Sequence, residues 1–541
     1  MILKYLKSIT ALTVCLMLCA SAFAVPMRRK PGIHIPEYYM PTDRDNPALW
    51  GGQPRYGLNR TAAAPGDYSI SDIPRTGNIE YPLVLVEFSD LHFTRDAETI
   101  RKHYECIFNG HGYSDSVKYV HNGATYYAAN GSVADYFWDM SYGQFNPAFK
   151  IIGPITLSRG YAYYGSGKYD NVHALVREVC DSIITHNHAN LSGYARNGMI
   201  DQISIVYAGR GENYEGSDPN TIWPQADFVY FNRQDDPVVY GKGISRAKCA
   251  CTPELYWDSD SLLDGIGTFC HEFSHTLGLP DYYDTGEDAD DRNSAMGYWS
   301  LMDAGCYEDG GFSPVGYTAF ERYSLGWLDL EEITGPGTYD LYFIARKPNP
   351  EQGIHVAYRL STGDDNQFII LENHIKNGWY RYQRTRGIMV TAVDYNRSKW
   401  TSNKLNNGDL KRYQILPADN DNDVYTGAGD LFPYTWTDSL GTHVIDSITT
   451  TGKPQLKAGT SYPLYSIYNI TRNSSVFTFT LRSDMPTNAG NVKQDETTVT
   501  VYDMTGKPVI KTTTSDPEHI SLPGPGIWII KYGNITRKVR L

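Results

Sequence analysis

The stretch Cys270-His271-Glu272-Phe273-Ser274-His275-Thr276-Leu277-Gly278-Leu279-Pro280-Asp281 constrains this chain more than any other. Its spacing predicts a helix. Leu262, Ile266, Phe269, Phe273 and Leu277 then fall on one buried stripe. His271 and His275 stack one turn apart, roughly opposite that stripe. Two histidines in that relation can share one Zn²⁺, which takes nitrogen ligands at about 2.0–2.1 Å. Glu272, between them, is placed to touch a water on the metal. Gly278 permits a sharp reversal and Pro280 forbids helical continuation. The turn can therefore bring Asp281 back to the metal as a third ligand. Two histidines and a carboxylate leave one position open for water, as in a catalytic rather than a structural zinc site. The plain alternative is a helix with two ordinary surface histidines. Gly278 and Asp281 in register argue against it.

At 541 residues the chain is longer than one domain. Its net charge of −13, from 48 basic and 61 acidic residues, speaks against nucleic acid as a partner. A charged share of 20 % with 43 tyrosines suggests a β-rich, polar-surfaced extracellular protein. Residues 1–24 read as a signal peptide: Lys4 and Lys7, the apolar run Ile9 to Leu18, then Ala22-Phe23-Ala24 as the cleavage site. The run is shorter than the ~20 residues a membrane span needs. No other stretch reads as a transmembrane segment. Cleavage would leave Cys106, Cys180, Cys249, Cys251, Cys270 and Cys306, with more possible pairings than the sequence can choose between. Cys270 lies near the apolar stripe and reads as core packing.

Residues 25–78 are rich in Pro, Gly and Arg without periodicity. They are either a pro-segment covering the site or a flexible lead-in. Residues 79–335 read as the catalytic domain. Pro82 to Phe88 is a buried strand, and Ser132 caps a helix carrying Val133, Tyr136, Phe137 and Met140. Phe149 to Leu157 is a strand, Val172 to Ile183 a helix, and Ile203 to Ala208 a strand. That alternation is the α/β (α+β) half expected of a zincin- or metzincin-like fold. Asp284, Glu287, Asp288, Asp290 and Asp291 form an acidic loop that either binds structural Ca²⁺ or is merely solvated. Trp299 to Gly305, with Met302, is a candidate for the turn that sets a methionine beneath zinc.

Residues 336–485 read as an all-β accessory domain. Its strands are expected at Gly353 to Leu360, Gln367 to Asn373, Gly387 to Asp394, Tyr462 to Ile467 and Val476 to Leu481. Asp419, Asp421 and Asp423 alternate within it and could hold Ca²⁺, without the glycine of an EF-hand loop. After a polar linker, residues 486–541 read as a small terminal β-sandwich.

From Tyr81 to Trp327 the chain resembles the immune inhibitor A family of secreted metallopeptidases. The shared pieces are Val84 to Asp90, Ser132 to Phe137, Met140 to Gly143, Ala208-Gly209, Ile222-Trp223-Pro224 and His271 to Asp281. Leu371-Glu372-Asn373 and Ala418-Asp419 are similar to the family's second half. The resemblance implies a zinc endopeptidase acting on protein or peptide substrates, with His271 and His275 as ligands and Glu272 as catalytic base. Asp281 fits the metzincin register for the third ligand, and Glu321 is the gluzincin-like option. Gln225 stands where many relatives carry a histidine. The last segment resembles a type IX secretion sorting domain, on Val501 to Lys507, Leu522 to Trp528 and Lys538-Val539. That implies transit through the periplasm to the cell surface or medium, with the export machinery as partner. A zinc-stabilised, catalytically inactive cell-surface binding protein is the rival reading. Glu272 argues against it, since a structural site needs no base.

Overall fold

The computed structural model describes strand Phe23–Ala24 and residues 73–483 and 497–540, apart from 115–117, 122–123, 128–130, 166–171, 187, 216–217, 219, 232–239, 258, 287–294, 424–426, 515–519, 521 and 533–534. Most of the expected signal peptide, residues 25–72, the acids Glu287 to Asp291 and the polar linker lie outside the described residues. The chain divides into two compact units, Met1–Asp484 and Met485–Leu541.

The first unit is built on a seven-stranded sheet. Its strands are β1 (Phe23–Ala24), β2 (Gly77–Glu87), β5 (Phe145–Thr156), β6 (Ala195–Arg196), β7 (Met199–Arg210), β8 (Gln225–Tyr230) and β9 (Arg246–Leu255). A separate hairpin, β3 (Lys118–His121) with β4 (Ala124–Tyr127), falls between β2 and β5 in sequence. The main order is β1-β8-β9-β7-β2-β5, with β6 paired to β7. β5, β2, β7 and β9 run parallel, whereas β8 joins β9 antiparallel and β1 joins β8 antiparallel.

Strand alternation divides the apolar residues between the two faces. Val84 and Val86 of β2, with Phe88 just after it, enter one core, shared with helix α3 (Val172–Thr185). Tyr81, Leu83 and Leu85 enter the other, shared with α1 (Ala97–Asn109), α2 (Val133–Met140) and α5 (Gly267–Leu277). A one-turn helix, α4 (Glu212–Glu215), follows β7. Ser132 caps α2 as expected: its Oγ accepts from Asp135 N–H at 3.1 Å, and the Asp135 carboxylate accepts from Ser132 N–H at 3.2 Å.

Helix α5 differs from the expected amphipathic helix. It begins at Gly267, so Leu262 and Ile266 precede it, and every one of its residues is buried. A Cβ on Gly267 would lie 1.9 Å from the Cys306 carbonyl oxygen, so the helix start fits against residues 304–311 only as glycine. The apolar side works as the stripe predicts. Phe273 packs edge-on to Tyr81 at 5.3 Å and against Phe137 at 5.0 Å, and Phe269 meets Phe108 at 4.6 Å. Burying one such ring contributes roughly 1.5–3 kcal/mol.

Beyond α6 (Ala319–Ser324), strands β10 (Glu331–Glu332), β12 (Ala357–Asp364), β13 (Gln367–His374), β14 (Gly387–Asp394) and β15 (Tyr413–Ile415) form a five-stranded sheet. β11 (Gly337–Leu341), β19 (Val476–Ser483) and β18 (Tyr465–Asn473) form a three-stranded one, and β16 (Tyr434–Asp438) pairs with β17 (Gly441–Ile445). A one-turn helix, α7 (Arg397–Thr401), follows β14. β12 starts later than expected, because Gly353 sits at φ 69° and ends a 3₁₀ turn. β13 has both faces covered: Ile369 and Leu371 face the three-stranded sheet's core, and Phe368 and Ile370 face the core of α5. The β-rich segment therefore shares a core with the α/β half.

In the second unit, β20 (Thr497–Tyr502), β21 (Pro508–Thr514), β22 (Ile527–Tyr532) and β23 (Ile535–Arg540) form one antiparallel sheet in the order β21-β20-β22-β23. Val499, Val501, Ile530 and Tyr532 make its small core. The expected sandwich is a single four-stranded sheet among the described residues.

Candidate metal centre

Helix α5 ends where the sequence predicts. Gly278 adopts φ 113°, and its N–H closes onto the carbonyls of His275 and Ser274. The chain then turns back along α5 and carries Asp281 to the two histidines. His271 Nε2 lies 3.0 Å from Asp281 Oδ1, His275 Nε2 lies 3.2 Å from the same oxygen, and the two Nε2 atoms are 3.1 Å apart. Among the described residues this is the one cluster of three or more His, Cys, Asp or Glu side chains that could hold a metal.

Both rings are oriented from behind. His271 Nδ1 lies 2.8 Å from the Leu301 carbonyl oxygen, and His275 Nδ1 lies 2.7 Å from that of Leu279. A carbonyl can only accept, so each Nδ1 carries a proton and each Nε2 is turned inward toward Asp281. Burial holds His275 below the ordinary histidine range. Burial pushes Asp281 upward, but the imidazoles outweigh it and bring its carboxyl down to about 2. The site thus brings together two imidazoles and one carboxylate, donor types that zinc takes.

Asp281 is gripped from a distance. Asn403 Nδ2 donates to Asp281 Oδ2 at 2.6 Å, and Asp281 N–H donates to Asn403 Oδ1 at 2.7 Å. Tyr283 also hydrogen-bonds Asp281, and burial with the negative charges of Asp281 and Glu272 keeps its hydroxyl protonated. Glu272 is fully buried on α5 beside the histidine pair.

The residues 299–305 pass behind His271 and supply the Leu301 carbonyl. Met302 is fully buried, and its own carbonyl accepts from Tyr282 N–H at 2.8 Å. Glu321 lies outside the donor cluster. Its Oε1 accepts from Ser300 Oγ at 2.7 Å and its Oε2 from Thr318 N–H at 2.5 Å, so it braces the 299–305 segment. Gln225 sits on β8 and donates to the Trp223 carbonyl at 3.3 Å. Cys270 is buried, and burial pushes its thiol up, as suits a packing group. Cys106, Cys180 and Cys270 are free thiols. Of the acidic loop, Asp284 accepts from Gly408 N–H at 2.9 Å and from Lys411 at 3.4 Å.

Sequence reasoning missed Leu279, Leu301, Tyr283 and Asn403. The first two act through backbone carbonyls, which no side-chain pattern reveals. Asn403 is 122 residues downstream of Asp281, in an asparagine-rich stretch that reads as an ordinary loop.

Residues 79–331 match the family described as immune inhibitor A peptidase M6, catalytic domain. The chain is 24 % identical over 290 residues to the pre-pro-metalloprotease PrtV of Vibrio cholerae serotype O1, covering 46 % of this chain and 30 % of the relative. It is 27 % identical over 153 residues to immune inhibitor A of Bacillus thuringiensis subsp. alesti, covering 25 % of this chain and 21 % of the relative. The matched stretch therefore spans less than a third of either relative's own length. Over residues 79–331 the chain carries a domain similar to the catalytic domain of the immune inhibitor A peptidases.

Proposed function

We propose that the protein is an exported, zinc-dependent endopeptidase that hydrolyses protein substrates. The observation that carries this reading is the convergence of His271 Nε2, His275 Nε2 and Asp281 Oδ1 at mutual distances of 3.0, 3.1 and 3.2 Å. Tetrahedral zinc with bonds of about 2.0 Å has ligand–ligand edges of about 3.3 Å. The donor types and their spacing fit zinc. The match of residues 79–331 to a metallopeptidase family supports the same reading.

Zinc, when bound, supplies Lewis acidity, bringing the pKa of water toward ~7 and polarising a carbonyl. The chain's own residues do the rest. His271, His275 and Asp281 would hold the metal. Glu272 takes the proton of the attacking water and returns it to the leaving amine. The buried surroundings of α5 keep stray water from competing for that proton. The substrate lies extended across the cleft, adding a strand to a sheet edge. Export rests on the signal-like residues 1–24 and on the sorting-like residues 486–541. Among the described residues, no helix is long and apolar enough to cross a membrane.

Metal analysis and a casein-cleavage assay test this function. The expected result is one zinc per chain, with cleavage abolished by chelation and restored by zinc. Full cleavage by metal-free protein would contradict it.

A further inference from the structure

We propose that Asn403, supplied by the β-rich segment, is a positioning residue for the metal centre: it fixes the Asp281 carboxylate so that Oδ1 faces His271 and His275. This rests on the zinc reading above.

The grip has two points. One amide oxygen takes the Asp281 backbone N–H at 2.7 Å, and the amide nitrogen takes Asp281 Oδ2 at 2.6 Å. The first fixes where the residue sits, and the second fixes the plane of its carboxylate. With Oδ2 occupied, Oδ1 is the oxygen left for the histidines, 3.0 Å and 3.2 Å away.

The chemistry selects asparagine. A short planar group carrying one acceptor and one donor is required. Aspartate would keep the acceptor but set two carboxylates face to face in a buried place. Alanine would supply neither group. Asn403 also stands at φ 54°, a left-handed conformation that asparagine adopts more readily than most residues.

The loop that presents it is itself anchored to the Asp281 turn. Trp400 Nε1 donates to the Gly278 carbonyl at 3.1 Å, Thr285 Oγ1 to the Asn403 carbonyl at 2.7 Å, and Asn406 Nδ2 to the Tyr282 carbonyl at 2.8 Å. These contacts cover the whole reversal from Gly278 to Thr285. None of the three anchoring residues Trp400, Asn403 and Asn406 belongs to the family-matched residues 79–331. The metal centre is therefore completed from outside the segment that carries its ligands.

Full-length Asn403→Asp and Asn403→Ala test the assignment. Zinc affinity is measured by chelator competition, and the cobalt-substituted protein by its visible absorption, which reports ligand geometry independently of activity. Both variants should bind zinc about 10–100-fold more weakly, the usual cost of losing an outer partner. Their cobalt spectra should differ from wild type. If Asn403→Ala fails to fold, Asn403→Asp, equal in size and tolerant of the left-handed conformation, decides alone. Wild-type affinity and spectrum in Asn403→Asp would overturn the proposal, as would a lowered melting temperature with both unchanged. Wild-type protein that takes up neither zinc nor cobalt would overturn the zinc reading itself, and this one with it.

Discussion

The Nδ1 atom of His271 lies 2.8 Å from the carbonyl oxygen of Leu301, and this contact decides which ring nitrogen faces Asp281. The carbonyl is held in turn. Ser300 Oγ, one residue before, donates to Glu321 Oε1 at 2.7 Å, and Met302 N–H, one residue after, reaches the same oxygen at 3.4 Å. The proposed centre is thus supported in layers: imidazole, backbone carbonyl, buried carboxylate.

Asp281→Ala should reduce zinc affinity by more than the ~10–100-fold expected for an outer partner. The substitution would remove one of the three proposed donors. Chelator competition with the full-length variant measures it. Affinity within tenfold of wild type would remove Asp281 from the ligand set.

Glu321 makes stability depend on pH. Burial, with Glu372 nearby, raises its carboxyl from 4.5 to about 7, against the hydrogen bonds from Ser300 and Thr318. The folded state then holds a proton that the unfolded state releases, between pH 4.5 and about 7. In that window stability falls as pH rises, by at most ~1.4 kcal/mol per unit from this group, and levels off above it. Glu321→Gln cannot titrate. Urea unfolding at a series of pH values should show the variant losing less stability than wild type from pH 5 to 7. Parallel curves would contradict the burial argument.

Removing residues 485–541 should leave zinc content and peptide cleavage nearly unchanged, because that segment forms its own compact unit with its own core. In a native host the truncated protein should accumulate in the periplasm. Normal levels at the surface or in the medium would make the segment an accessory domain without a sorting role. Cutting instead at residue 335 should give aggregated protein, since Phe368, Ile370, Trp400 and Tyr413 belong to the core that α5 packs in. Sedimentation of the expressed fragment checks this.

The sequence made the centre legible where chemistry and chain proximity coincide. His271, His275, Gly278 and Asp281 lie within one helix and one turn, so spacing alone brings them together. The same holds for β14, whose expected bounds of Gly387 to Asp394 are the observed ones. Long-range support was invisible. Asn403 meets Asp281 only because the five-stranded sheet packs on the α/β half, and no periodicity encodes that. Helix α1 shows a different failure. Ile100, Tyr104, Ile107 and Phe108 do carry helical spacing, but charged neighbours dilute it. The complete burial of α5 was also hidden, because the polar residues that suggested a solvent face are covered by the Asp281 turn and residues 299–311.

Glu272→Ala tests the central claim most directly. On the proposed reading Glu272 would act on a proton in the transition state without holding the metal, so the variant should keep one zinc per chain and a nearly unchanged KM. Its kcat should fall by ~10²–10⁴-fold, the usual contribution of a general base. A fully zinc-loaded Glu272→Ala protein that cleaves casein at the wild-type rate would contradict the account.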